Sequence, residues 1–286
     1  MYIWDRINNY LGLVRFAHTI FALPFALIAM LAAANGLPAW PVIGWILFCM
    51  VTARTSAMTF NRIVDRRLDA QNPRTQSRHL PRGQVSLVEA SILWLASSLL
   101  FIFGAWQLNS LAFGLSPIAL LIICGYSYFK RFSSASHFIL GLSLGIAPVG
   151  AWIGVTGAIG LPSIVLAMGV LLWVAGCDTI YALMDEEFDR KTGLHSLVVG
   201  FGKQRAMKIA FALHVFCIFF IALFGYTAGL GWMYYFGTVL FAALIIYEHI
   251  IVNPENTASV NIAFFNINGT ISIGLFLFVA ADILWL

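Results

Sequence analysis

The sequence predicts an all-helical integral membrane protein with nine transmembrane helices. Three observations carry that prediction. Of its residues 61% are hydrophobic and only 10% are charged, against about 25% charged in an ordinary soluble domain, and the mean hydropathy is +0.90. The apolar residues run in stretches of about twenty, the length that crosses a bilayer as a helix. The connectors alternate between short uncharged turns and charged loops.

In chain order, the segment MYIWDRINNYLGLVRF lacks the compact basic segment, apolar core and small-residue cleavage site of a signal peptide. The first span, 16–34, is therefore expected to remain in the mature protein. It is joined to 41–60 by NGLPAW. Spans 87–106 and 111–129 are joined by QLNS, 137–155 and 163–181 by TGAIGLP, and 206–226 and 232–252 by TAGLG. The ninth span covers 260–284. The charged loops follow the second, fourth and sixth spans. No connector is long enough for a soluble domain, so 1–286 is expected to form a single membrane domain. Two candidate four-helix repeats cover about 11–130 and 131–252.

Charge sets the expected orientation. All 16 Lys and Arg residues fall on the side of the N-terminus and the charged loops. The positive-inside rule places that side in the cytoplasm. The basic pI of about 9.0 thus has a topological cause and does not indicate nucleic acid. Trp40, Trp45, Trp106, Trp232 and Trp285 fall near span ends, as an interfacial aromatic belt does. Cys49, Cys124, Cys177 and Cys217 lie in apolar runs without a CxxC spacing and read as small buried hydrophobes. None of His18, His79, His137, His195, His214 and His249 has a partner at metal-ligand spacing.

The chemistry concentrates in AMTFNRIVDRRLDAQNPRTQSRHLPRG, from Ala57 to Gly83. Asn61, Asp65 and Asp69 recur every four residues and share one helix face. Carboxylates at that spacing repel, and a pair beside a membrane span calls for a cation. Arg62, Arg66, Arg67, Arg74, Arg78 and Arg82 lie among or after them. Carboxylates for a metal and guanidinium groups for an anion make a site for a metal-bound diphosphate. The loop after the sixth span, GCDTIYALMDEEFDRKTGLHS, repeats the spacing at Asp185 and Asp189, at the same offset from Asp65 and Asp69. Glu186 and Glu187 lie between them. Oxygen-only ligands favour Mg²⁺.

Other candidates surround these motifs. Arg54, two turns before Asn61, is costly at span depth and is expected to meet an acid or an anionic ligand. Asp178 holds the equivalent position before Asp185, as a partner for Arg54 or as a proton acceptor. Lys130 and Arg131, after Tyr126 and Tyr128, suit phosphate contacts. Tyr181, four residues before Asp185, is expected on its face. Spans 4 to 6, rich in Gly, Phe and Leu, suit close helix packing or an apolar tunnel equally. The bland alternative is that the charged loops serve topology alone. It leaves two acid pairs at span ends unexplained, since acids contribute little to orientation.

NRIVDRRLDAQNPRTQSRHLPRG and DTIYALMDEEFDRKTGLHS resemble the N-x-x-x-D-x-x-x-D and D-x-x-x-D motifs of the UbiA superfamily of intramembrane prenyltransferases. YSYFKRF looks like that family's Y-x-x-x-K-R turn. HTIFALPFALI is similar to the 4-hydroxybenzoate polyprenyltransferase-like branch. The resemblance implies nine helices around a central cavity capped by cytoplasmic loops, in the inner membrane. It implies Mg²⁺ held by Asn61, Asp65, Asp69, Asp185 and Asp189, and a polyprenyl diphosphate contacted by Arg74, Arg78 and Lys130. It sets Arg54 against the carboxylate of an aromatic acid, 4-hydroxybenzoate for ubiquinone or a dihydroxynaphthoate for menaquinone. No protein partner is evident. A polytopic transporter is the rival from another class, but its charges belong at mid-depth, and these crowd the span ends. A lipid-binding scaffold needs no D-x-x-x-D pairs.

Overall fold

A computed structural model describes residues 9–14, 22–256, 260 and 266–285. The regular structure among them is helical: α1 (Leu23–Ala34), α2 (Trp40–Gln71), α3 (Leu87–Leu108), α4 (Ser110–Phe129), α5 (Ser136–Thr156), α6 (Leu161–Tyr181), α7 (Glu186–Thr192), α8 (Leu197–Phe201), α9 (Lys203–Ala228), α10 (Trp232–Ile251) and α11 (Asn268–Trp285). Eight helices among the described residues are long and apolar enough to cross a membrane. The first expected span is described only from residue 22, as the twelve-residue α1. His18 and the start of HTIFALPFALI lie outside the described residues.

Two compact units are distinguished. The first comprises Met1–Thr19 and Ile43–Tyr128. Its long element, α2, has 32 residues, about 48 Å at 1.5 Å per residue, against a hydrocarbon core of about 30 Å. The helix therefore continues well past the expected span end at Phe60. Asn61 to Gln71 contain no Gly or Pro, and the helix stops one residue before Asn72, which precedes Pro73 and is biased away from helical geometry. Small polar residues line the helix contacts. Ser56 Oγ lies 2.7 Å from Ser98 Oγ on α3 and 3.7 Å from Cys124 Sγ on α4. A Cβ on Gly104 of α3 would meet Cys49 Sγ at 2.8 Å, so glycine permits that approach.

The loop between α2 and α3 is folded. Asn72 Oδ1 accepts from the Arg74 N–H at 2.9 Å, and Thr75 Oγ1 donates to the Asp69 carbonyl at 3.2 Å. Gly83, at φ +68, takes a left-handed turn that favours glycine. Ser86 and Glu89 then form a reciprocal capping box that starts α3. Leu80 and Val85 of the loop pack with Leu13, Ile63 and Ala90. The loop after the first acidic motif is thus anchored on apolar side chains.

The second unit comprises Ile20–Val42 and Phe129–Leu286. Its central element is α6, which packs against α5 on one side and α9 on the other and is the most buried of the apolar helices. On α5, a Cβ on Gly141 would strike the Leu171 carbonyl of α6, and one on Gly145 would lie 2.8 Å from the Ala167 carbonyl. The glycines thus serve close backbone contact. Helix α6 gives way to a 3-10 turn, Ala182–Met184, before α7. Trp40, Trp106, Trp232 and Trp285 are exposed as an aromatic belt requires, whereas Trp45 packs edge-on against Phe48 and Phe103.

Candidate active site

In the first unit the α2 face carries the motif as its spacing predicts. Asn61 Nδ2 donates to Asp65 Oδ2 at 2.9 Å and to Ser127 Oγ of α4 at 3.3 Å. Asn61 Oδ1 accepts from Arg62 Nη1 at 3.0 Å. Asn61 therefore fixes the Asp65 carboxylate and ties it to α4, where half-buried Tyr126 is the neighbour of Ser127. One turn on, Asp69 is buried, and Arg78 Nη1 meets its Oδ1 at 2.6 Å. Its second oxygen, Oδ2, is buried with no hydrogen-bond partner. Arg54 is half-buried two turns before Asn61, and Arg74 is half-buried in the folded loop. Arg62, grouped by sequence with the other five arginines of the motif, is only 5% exposed and is set apart from them by its bond to Asn61.

In the second unit the acids separate into two kinds. Glu186 pairs with Arg190 at 3.0 Å and Glu187 with Lys191 at 2.6 Å, along α7. The hydrogen bond from Lys191 holds the exposed Glu187 carboxyl below its usual range. Asp185 and Asp189, by contrast, are buried. Lys130 Nζ forms an ion pair with Asp189 Oδ1 at 3.0 Å. The turn that carries Lys130 and half-buried Arg131 is stitched down. The His195 N–H donates to the Lys130 carbonyl at 2.8 Å, and Ser134 Oγ donates to the Ser196 carbonyl at 3.2 Å.

The local geometry of this motif departs from expectation. Asp185 has φ −106 and ψ 1, in the sparsely populated bridge region where active-site residues recur. The 3-10 turn before it advances about 120° per residue. Tyr181, half-buried at the end of α6, is thus joined to Asp185 through a 3-10 turn and not through continuous α-helix. Asp178, seven residues earlier, is held by His137 Nδ1 at 2.7 Å, and His137 Nε2 accepts the Leu197 N–H at 3.2 Å. That backbone bond places the ring proton on Nδ1, directed at Asp178. His137 was missed because its partners lie far away in sequence. A polar pair within apolar runs was the only hint.

The donor sets suit a hard divalent cation. They offer carboxylate oxygens, and the orphaned Asp69 Oδ2 is an acceptor that Mg²⁺ would satisfy. Each motif also holds a cation against its second aspartate, Arg78 on Asp69 and Lys130 on Asp189. A guanidinium or ammonium so placed is available to a diphosphate oxygen as well as to the carboxylate.

Comparison with known proteins agrees with this chemistry. A family model described as the UbiA prenyltransferase family matches residues 22–270. A 4-hydroxybenzoate octaprenyltransferase of Shewanella sediminis is 32% identical, over 99% of this chain and 99% of that protein. The Shewanella woodyi protein of the same name is 30% identical over the same shares. The apo structure of a UbiA homologue from Aeropyrum pernix K1 superposes with a TM-score of 0.84 at 32% identity, covering 93% of this chain and 98% of that one. A UbiA homologue from Archaeoglobus fulgidus, bound to GPP and Mg²⁺, shares the fold with a TM-score of 0.73 at 22% identity, covering 96% and 99%.

Proposed function

The chain belongs to the UbiA prenyltransferase family, and from that premise we propose that it transfers a polyprenyl group from a polyprenyl diphosphate to the ring of an aromatic acid, 4-hydroxybenzoate, in quinone synthesis. The observation that carries the reading is the matched pair of buried aspartate–cation contacts, Asp69–Arg78 and Asp189–Lys130. Relatives named for 4-hydroxybenzoate prenyl transfer, at full-length coverage, support the choice of acceptor.

Asp65, Asp69, Asp185 and Asp189 hold Mg²⁺, with Asn61 as a further ligand or as the group that orients Asp65. Mg²⁺, when bound, neutralises charge on the diphosphate and makes it a better leaving group. Arg74, Arg78, Lys130 and Arg131 grip the diphosphate oxygens, and Tyr126 and Tyr181 donate to them. The C1–O bond of the prenyl group breaks and its electron pair leaves with diphosphate. Apolar helices exclude water from the allylic cation so exposed. The ring carbon ortho to the phenol oxygen forms the new C–C bond, and a carboxylate or the released diphosphate takes the ring proton. Arg54 holds the acceptor carboxylate in a fixed fork. The active-site loops face the cytoplasm and the protein resides in the inner membrane.

The test is turnover in membranes given a polyprenyl diphosphate, Mg²⁺ and a labelled aromatic acid. Prenylated 4-hydroxybenzoate and released diphosphate are expected, both abolished by EDTA and restored by Mg²⁺. Product from a dihydroxynaphthoate alone would reassign the acceptor. Diphosphate-independent movement of solute would instead favour a transporter.

A further inference from the structure

Away from the acidic motifs, the second unit buries a cluster of polar side chains at the meeting of α6, α9, α10 and α11. Cys177, His214 and Glu248 each offer one ligand atom, and these atoms all lie within 4.8 Å of one another. Cys177 Sγ is 3.7 Å from His214 Nε2 and 3.3 Å from Asn268 Oδ1. Tetrahedral coordination with Zn–S of about 2.3 Å and Zn–N of about 2.05 Å sets the S to N separation at about 3.6 Å. His214, Glu248 and Asn268 are almost wholly buried.

We propose that Cys177, His214 and Glu248, with the amide oxygen of Asn268, form a structural zinc-type site inside the helical bundle. Charge argues for a divalent ion. A thiolate and a carboxylate balance two positive charges, leaving a neutral complex, which is what a low-dielectric interior tolerates. Without a cation one acceptor is left over: Glu248 Oε2 is buried with no hydrogen-bond partner, while Asn268 Oδ1 accepts from Trp173 Nε1 at 3.1 Å and keeps a second lone pair for an ion. The mixed S, N and O donor set suits zinc or cobalt rather than the hard Mg²⁺ of the acidic motifs. Outer-shell support is in place. His249 Nε2 lies 2.9 Å from His214 Nδ1, and Asn268 Nδ2 donates to Glu248 Oε1 at 2.9 Å. In the metal-free chain His214 Nε2 donates to the Trp173 carbonyl at 3.1 Å, so metal binding requires Nε2 to give up that bond and the ring proton to move to Nδ1, donated to His249. A Cβ on Gly176 would strike His214 Nε2 and Cδ2. Glycine beside Cys177 is what lets the imidazole reach the thiol.

On binding, Cys177 loses its thiol proton to solvent and the Zn–S bond forms, with no change of oxidation state. Such an ion would tie α6, which carries Asp178 just before the second acidic motif, to three neighbouring helices.

The experiment is elemental analysis of the full-length protein purified in detergent and dialysed against EDTA, and cobalt uptake by a second sample stripped of zinc with 1,10-phenanthroline. The expected result is zinc retained at one ion per chain, and a thiolate-to-cobalt absorption band on refilling. Cys177→Ser should abolish that band. Glu248→Gln, which keeps the contact to Asn268, should lose zinc while the chain stays folded by circular dichroism. Loss of the outer partner in His249→Ala should weaken affinity about 10–100-fold. Asp65→Asn and Asp185→Asn should retain zinc and the cobalt band, which separates this site from the proposed prenyl transfer. A wild-type protein that holds no zinc and takes up no cobalt overturns the proposal. So does zinc that persists in Cys177→Ser, or is lost in Asp65→Asn.

Discussion

At the scale of the residue, the second aspartate of each motif is the more constrained. Asp69 and Asp189 are buried and each is matched by a cation. Removing one preorganised electrostatic group from a reacting centre typically costs about 10²–10³ in kcat. Asp69→Asn and Asp189→Asn are each expected to lower kcat by that order at saturating Mg²⁺, read from initial rates of prenylated product. Arg54→Ala is expected to act differently, raising the KM for the aromatic acid more than that for the prenyl diphosphate. Equal rises in both would remove Arg54 from the acceptor. The four-residue spacing of Asn61, Asp65 and Asp69 was legible because a helix converts spacing directly into a face. The Asp69–Arg78 pair was not, because it depends on how the loop after Pro73 folds back. The division of DEEFD into buried aspartates and glutamates paired along α7 was hidden too, since the four acids of that stretch look alike until a helix start orients them. Cys177 illustrates the limit most plainly: its reading as a buried residue holds, while its neighbours His214 and Glu248 come from distant helices.

At the scale of the element, apolar runs and turn signals located the helices well, because length and composition decide which segments cross a bilayer. The continuation of α2 to Gln71 was less visible, since hydropathy ends at Phe60 while helix propensity does not. The 3-10 break before Asp185 has no Gly or Pro to announce it. Packing between α5 and α6 gives the clearest element-level prediction. A methyl group at Gly141 would run into the Leu171 carbonyl, whereas one at Gly150 meets nothing within 4 Å. Gly141→Ala is therefore expected to destabilise by about 1–3 kcal/mol, the usual cost of overpacking. Gly150→Ala should be neutral or stabilising, because alanine is the better helix former. Thermal unfolding of the two variants in detergent measures the difference, and equal melting temperatures would show that α5 and α6 yield to the added methyl.

At the scale of the whole molecule, the proposed orientation rests on charge. Lysines and arginines crowd the loops after α2, α4 and α6, while the connectors after α1, α3, α5 and α9 carry none. A basic loop is retained on the cytoplasmic side during insertion, and in the proposed orientation both acidic motifs lie with it. The four native cysteines are buried, so a new exposed cysteine reports its own side with little background. Gln76, in the loop after α2, and Ala158, in the turn after α5, are both exposed. In intact cells a membrane-impermeant maleimide is expected to label Ala158→Cys at once and to reach Gln76→Cys only after the membrane is opened. The reverse order would turn the protein over and place diphosphate chemistry outside the cytoplasm, where a cytoplasmic prenyl diphosphate supply does not reach it. Labelling of both from outside would mean that the loop after α2 is not held by its arginines.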